Sequence, residues 1–105
     1  MVERFLIGCA LMVSSIAAPA CDLTAARKVR LMINEMASVR EKDDKVFVYW
    51  RSDWDSANRS QREGLIRAFA DADACWNARP RDITFYRNSR LVGRASPKGG
   101  IRLMD

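Results

Sequence analysis

Few side chains in this chain are placed to do chemistry. Asp53 and Asp55 flank Trp54, and paired carboxylates can serve acid–base catalysis or hold a metal. A spacing of two gives them no reason to share a site, and aspartates there also cap a helix and favour its positive end. We read them as capping residues. Asp71 and Asp73 point to different sides at helical spacing and read as solvated charge. A nucleophilic Cys75 would need a depressed pKa, supplied by a neighbouring base or a helix N-terminus. It falls instead near a predicted helix C-terminus, and the sequence contains no histidine. That absence removes the commonest general base and zinc ligand together. No cofactor, metal or nucleophile motif is present, so the reading is of a protein that is not an enzyme. The contrary case requires Asp53, Tyr49 and arginines to meet in a deep pocket.

Binding chemistry is better represented. Tyr49, Trp50 and Trp54 cluster, with Trp76 further on, and Tyr49 and Trp54 are the aromatic residues expected to be exposed for contact. The net charge is +5, and arginine outnumbers lysine fourteen to four. Residues 21–78 carry ten acidic and ten basic side chains, so the surplus lies wholly in residues 79–105. Within that segment Arg87, Arg90, Arg94 and Arg102 fall on predicted strands where simple alternation can bring them to one face or edge. Such a patch attracts an anionic surface or an acidic partner. Charged residues on exposed strands also guard sheet edges against aggregation, and the sequence leaves both roles open. Asn58-Arg59-Ser60 matches a glycosylation sequon, read here as coincidence.

The elements that would carry these residues follow from periodicity. Asp22 or Thr24 can cap a helix running to about Glu41, with Ala26, Val29, Met32, Ile33, Met36 and Val39 on its buried face. The polar run 41–44 ends it. Residues 45–51 read as a strand that is apolar on both faces, favouring a central position or cover on both sides. A second helix is expected over about 57–77, capped by Asp55 or Ser56 or through a Ser60–Glu63 box. Its buried stripe is Leu65, Ile66, Phe69, Ala72 and Trp76. Residues 82–87 and 90–95 form a hairpin about Asn88-Ser89, and 101–104 a short last strand. The order α-β-α-β-β(-β) implies an α+β two-layer sandwich, with both helices on one face of a small mixed sheet. The strands flanking the second helix would be parallel.

The first twenty residues read as an address. Residues 5–16 carry no charge and lead to Ala18-Pro19-Ala20-Cys21, a small-residue cleavage site of secretory type. As a helix, residues 5–20 would span about 24 Å, short of the roughly 30 Å hydrocarbon core. We therefore expect a signal peptide over 1–20 and a single small domain over 21–105. Ala18 to Cys21 also resembles a degenerate lipobox. Cys21 is thus expected either to be acylated, giving a lipoprotein on the outer side of the inner membrane, or to pair with Cys75 in a periplasmic protein. A disulfide suits a domain of this size in an oxidising compartment. The functional expectation is an exported bacterial envelope protein. It would act as a binding or accessory module through its basic C-terminal hairpin, on an anionic membrane or an unknown protein partner, without a cofactor and not on nucleic acid. The alternative is an inhibitor or immunity-type protein acting through Trp54 and its neighbouring carboxylates.

Overall fold

The computed structural model describes residues 21–104; the expected signal segment 1–20 lies outside them. Asp22 caps the first helix, α1 (Leu23–Met36), its carboxylate accepting from the Thr24 and Ala25 amides at 3.0 and 3.2 Å. Ala26 and Ile33 are buried on its inner face, while Met32, expected there, is 46% exposed. The helix stops five residues before the periodicity does. Residues 37–42 form instead a strand, β1 (Ala37–Lys42), which turns back antiparallel onto β2 (Lys45–Trp50).

Two local features enforce that correction. Asp43 and Asp44 both take positive φ, 52° and 67°, the conformation of a tight two-residue hairpin turn that aspartate tolerates better than most residues. Arg51 closes the helix end. Its guanidinium donates to the Asn34 and Glu35 carbonyls at 3.3 and 3.1 Å, and its amide donates to the Met36 carbonyl at 2.8 Å. Val39 satisfies a helical stripe and a strand alternation equally well. The hairpin and the Arg51 clamp decide between them.

After β2 comes a single helical turn, α2 (Asp53–Ser56), and then the long α3 (Arg59–Asn77). The cap of α3 is none of the three expected, Asp55, Ser56 or the Ser60–Glu63 box. Asn58 and Gln61 form a reciprocal capping box, each side chain accepting from the other's amide at 2.8 Å. The sequon asparagine is therefore spent on starting the helix. At the far end Ala78 takes the left-handed conformation, φ 64°. The hairpin of β3 (Asp82–Arg87) and β4 (Arg90–Ser96) follows, with Asn88 and Ser89 at φ 52° and 64° in its turn as the sequence indicates. The chain ends in β5 (Gly100–Leu103).

The five strands lie in the order β1-β2-β3-β4-β5, with β2 and β3 parallel and every other pair antiparallel. This is a two-layer α+β fold with a mixed sheet. Its core lies between the sheet and the helices: Ile33, Val46, Val48, Trp50, Ile66, Phe69, Ile83 and Phe85 are all 3% exposed or less. Gly93 lets α3 approach β4 this closely, since a Cβ there would collide with the Ile66 side chain. Strand β2, expected to be central or covered on both sides, is an interior strand of the sheet and is covered on one face. Val46, Val48 and Trp50 face the helices, whereas Tyr49 on the opposite face is 39% exposed and Phe47 half-buried.

Candidate functional site

Strand register determines which residues share the uncovered face. Arg40 lies opposite Phe47, Phe47 beside Thr84, Thr84 opposite Arg94, and Arg94 opposite Arg102. One row thus crosses all five strands, with an arginine at each edge and a third on the interior strand β4. At about 4.8 Å per strand the row is roughly 19 Å long. The next row holds Ser38, Tyr49, Tyr86 and Leu91. Tyr49 and Tyr86 stack with ring centroids 5.4 Å apart, and the Arg40 guanidinium lies 5.9 Å from the Tyr49 ring. Beyond the arginine row, Lys42 and Lys45 face one another, with Asp82 beside Lys45. The face is a pair of aromatic rings bordered by cations.

The expected basic patch is divided between the two faces of the sheet. Arg94 and Arg102 stand side by side on the open face. Arg87 lies on the helix side, donating through Nε and Nη2 to the Asp55 carboxylate at 3.1 and 2.7 Å. This pair holds Asp55 below the ordinary carboxylate range, through its hydrogen bonds to Arg87, and raises the Arg87 guanidinium for the same reason. Arg90 sits opposite Arg87 next to the turn. The physical cause is a β-bulge: Phe85 pairs with Gly93 and Tyr86 with Leu91, leaving Val92 as an extra residue. One inserted residue inverts the facing of everything beyond it, so simple alternation across β4 fails.

Arg40 was invisible to a reading that kept residues 37–41 helical, and it completes the row. Among the described residues no carboxylate pairs with Arg40, Arg94 or Arg102. The Thr84 hydroxyl oxygen, at the middle of the row, is buried without a partner.

Other expected sites resolve differently. Trp54 is 3% exposed, stacked on Trp50 at 5.1 Å and covered by the Arg62 guanidinium, so it is core and not a contact residue. Tyr49 is exposed as expected. Trp76, expected in the buried stripe of α3, is 50% exposed. Asp73 is not solvated. It is 2% exposed and receives Arg81 through two bonds, Nε to Oδ2 at 3.1 Å and Nη2 to Oδ1 at 2.6 Å. Arg81 Nη1 also donates to Glu41 Oε1 at 2.8 Å. These bonds, to Asp73 foremost, raise the Arg81 guanidinium above its ordinary range against the opposing effect of burial. Cys21 and Cys75 lie within disulfide-bonding distance, Cα atoms 5.2 Å apart, tying the start of α1 to the end of α3.

Among the described residues no helix is long and apolar enough to cross a membrane, and no three histidine, cysteine, aspartate or glutamate side chains gather as metal ligands. A cavity of about 880 Å³ is an alanine-lined groove between α1 and α3 beside the cysteine pair, and neither it nor a second, polar cleft of about 250 Å³ includes Asp53 or Tyr49. Compared with protein-family models, curated proteins and solved structures, the chain matches none at a significant level.

Proposed function

We propose that this protein is an envelope binding module whose open sheet face docks reversibly on an anionic membrane surface. The observation that carries the reading is Arg94. Edge protection accounts for charge on the outer strands β1 and β5, where Arg40 and Arg102 lie. It does not account for an arginine on the interior strand β4, directly opposite another arginine with no carboxylate at hand. Like charges directly across a strand pair are destabilising. Such a pair is understandable when an external anion relieves it. Tyr49 and Tyr86 suit the same surface, since their amphipathic rings lie well at the level of lipid headgroups while guanidinium groups reach the phosphates.

The face presents five cations, Arg40, Lys42, Lys45, Arg94 and Arg102, against Asp82. At roughly 1 kcal/mol per basic residue near an anionic bilayer, attraction amounts to about 4 kcal/mol, a partition coefficient on the order of 10³ M⁻¹. Such binding is weak and salt-sensitive, as suits a module held near a surface without being anchored in it. The signal-like sequence of residues 1–20 and the disulfide-distance approach of Cys21 and Cys75 are compatible with export to an oxidising compartment. The inhibitor reading loses its central residue with the burial of Trp54.

The test is co-sedimentation with vesicles. Binding is expected to phosphatidylglycerol-containing vesicles, to weaken at high salt, and to be absent from phosphatidylcholine alone. The double reversal R94E/R102E removes the net charge of the face and is expected to abolish binding. Undiminished binding by that variant, or equal binding to neutral vesicles, overturns the proposal. Retention on an acidic protein with no vesicle binding assigns the face to a protein partner.

A further inference from the structure

A second site lies in the helix layer. A polar cleft of about 250 Å³ opens between α1, the end of α3 and the outer end of β1, lined by Arg30, Asn34, Glu41, Trp76, Asn77 and Arg81. Its members are unlike those of the membrane-facing sheet. Trp76 offers a half-exposed indole, with the Arg27 guanidinium 5.7 Å from its ring. Asn34 contributes an exposed amide whose side chain bonds to none of the described residues. Asn77 donates its amide N–H groups to the Asp73 carbonyl and carboxylate at 2.9 and 3.1 Å, which leaves its carbonyl oxygen as an acceptor. Glu41 gives one oxygen to Arg81 and retains the other. Arg30 holds its guanidinium over the Phe69 ring at 5.6 Å, and its Nε is buried with no partner.

Of the two arginines lining the cleft, Arg30 is the one that, among the described residues, no carboxylate neutralises. Arg81 is fully engaged by Asp73 and Glu41, and Asp73 is closed off by Arg81 and Asn77. The charge of Arg30 is therefore the one the cleft offers to an external anion. What it offers besides is an indole surface with adjacent groups that both donate and accept. A pyranose ring presents C–H groups to stack on an aromatic face, and its hydroxyls pair with amides and carboxylates that can donate or accept. A carboxylate on that ring would meet Arg30 in a charge-assisted bond. We propose that this cleft binds a single acidic sugar unit of the hexuronate class. The volume admits one ring and not a chain.

The experiment is a titration of the protein, disulfide intact, with D-glucuronate, and with D-glucose and acetate as controls. Trp50 and Trp54 are each 3% exposed and Trp76 is 50% exposed, so acrylamide quenching of tryptophan fluorescence reports chiefly on Trp76. Glucuronate is expected to shield Trp76 with a dissociation constant on the order of 1 mM, as suits so small and polar a ligand. Calorimetry supplies a readout independent of the indole. R30M is expected to weaken binding at least about tenfold, its buried-tryptophan emission showing that it is folded. R94E/R102E is expected to bind glucuronate normally, which separates this site from the sheet face. No shielding well above 1 mM, or R30M binding as tightly as the parent, overturns the proposal. Equal binding of acetate reduces the site to a simple anion site, and equal binding of glucose removes the role given to Arg30; either result also overturns it.

Discussion

Replacing Asp73 by asparagine tests whether the interior of this domain depends on one ion pair. The Arg81 side chain is 7% exposed and that of Asp73 1%, and the two meet through parallel bonds of 2.6 and 3.1 Å. Asparagine preserves shape, but its NH2 group would face a guanidinium N–H, donor against donor, and the anion would be gone. Arg81 cannot respond by losing its proton, because a guanidinium stays charged at any ordinary pH. Breaking a buried pair from one side costs about 3–5 kcal/mol. Glu41 remains as a second partner but is half exposed, so we place D73N near the lower end, about 3 kcal/mol. A small domain at about 1 kcal/mol per molar urea would then lose about 3 M from its unfolding midpoint. E41Q removes only the exposed partner and should cost no more than about 1 kcal/mol. The double variant D73N/R81M leaves no buried charge and should be more stable than D73N alone. Urea unfolding followed by the buried tryptophans measures all three. Equal midpoints for D73N and E41Q, or a double variant no better than D73N, would refute the claim that burial sets the value of this pair.

Reduction of the Cys21–Cys75 disulfide releases a loop of sequence separation 54, which on chain-entropy grounds costs about 4 kcal/mol. A fall in the thermal midpoint of about 15 °C or more on adding reductant is expected, and an unchanged midpoint would show that the bridge constrains nothing. The Asp55–Arg87 pair gives an acid-side signature. The folded state holds Asp55 below its ordinary value of 3.8. Its contribution is therefore complete above that pH and is lost as pH falls through the lower folded value. D55N should flatten the acid limb of a stability–pH curve, and a parallel curve would dispose of the coupling.

The fold was largely legible because its strongest signals are local. Asp22, the β-branched run from Val46 and the Asn88-Ser89 turn each specify backbone geometry without help from distant residues. Two errors have physical roots that no local pattern could correct. Val39 fits a helix stripe and a strand face alike, and the decision rests on Arg51, which closes α1 from beyond β2. Asp73 reads as surface charge until Arg81, eight residues on, folds back into the same interior. Of the residues expected to be available for contact, Tyr49, Arg94 and Arg102 lie exposed on the open face. Arg40 was lost with the missing strand, and Arg87 and Arg90 were misplaced because the Val92 bulge leaves little trace in sequence.

These misplacements alter what the net charge means. In sequence the whole surplus sits after residue 78, and it is natural to treat that segment as the charged surface. In the folded chain three of its cations are already answered: Arg79 by Asp44, Arg81 by Asp73 and Glu41, and Arg87 by Asp55. Two of those carboxylates, Asp44 and Glu41, belong to the β1–β2 hairpin or its turn. The hairpin thereby spends acidic groups on the C-terminal segment while turning Arg40, Lys42 and Lys45 towards the open face. Folding thus moves positive charge from the end of the chain to one side of the sheet. The surface that can meet an anion is defined by which arginines lack an internal partner, and Arg94, interior to the sheet and opposite Arg102, is the one for which protection of an edge offers no reason.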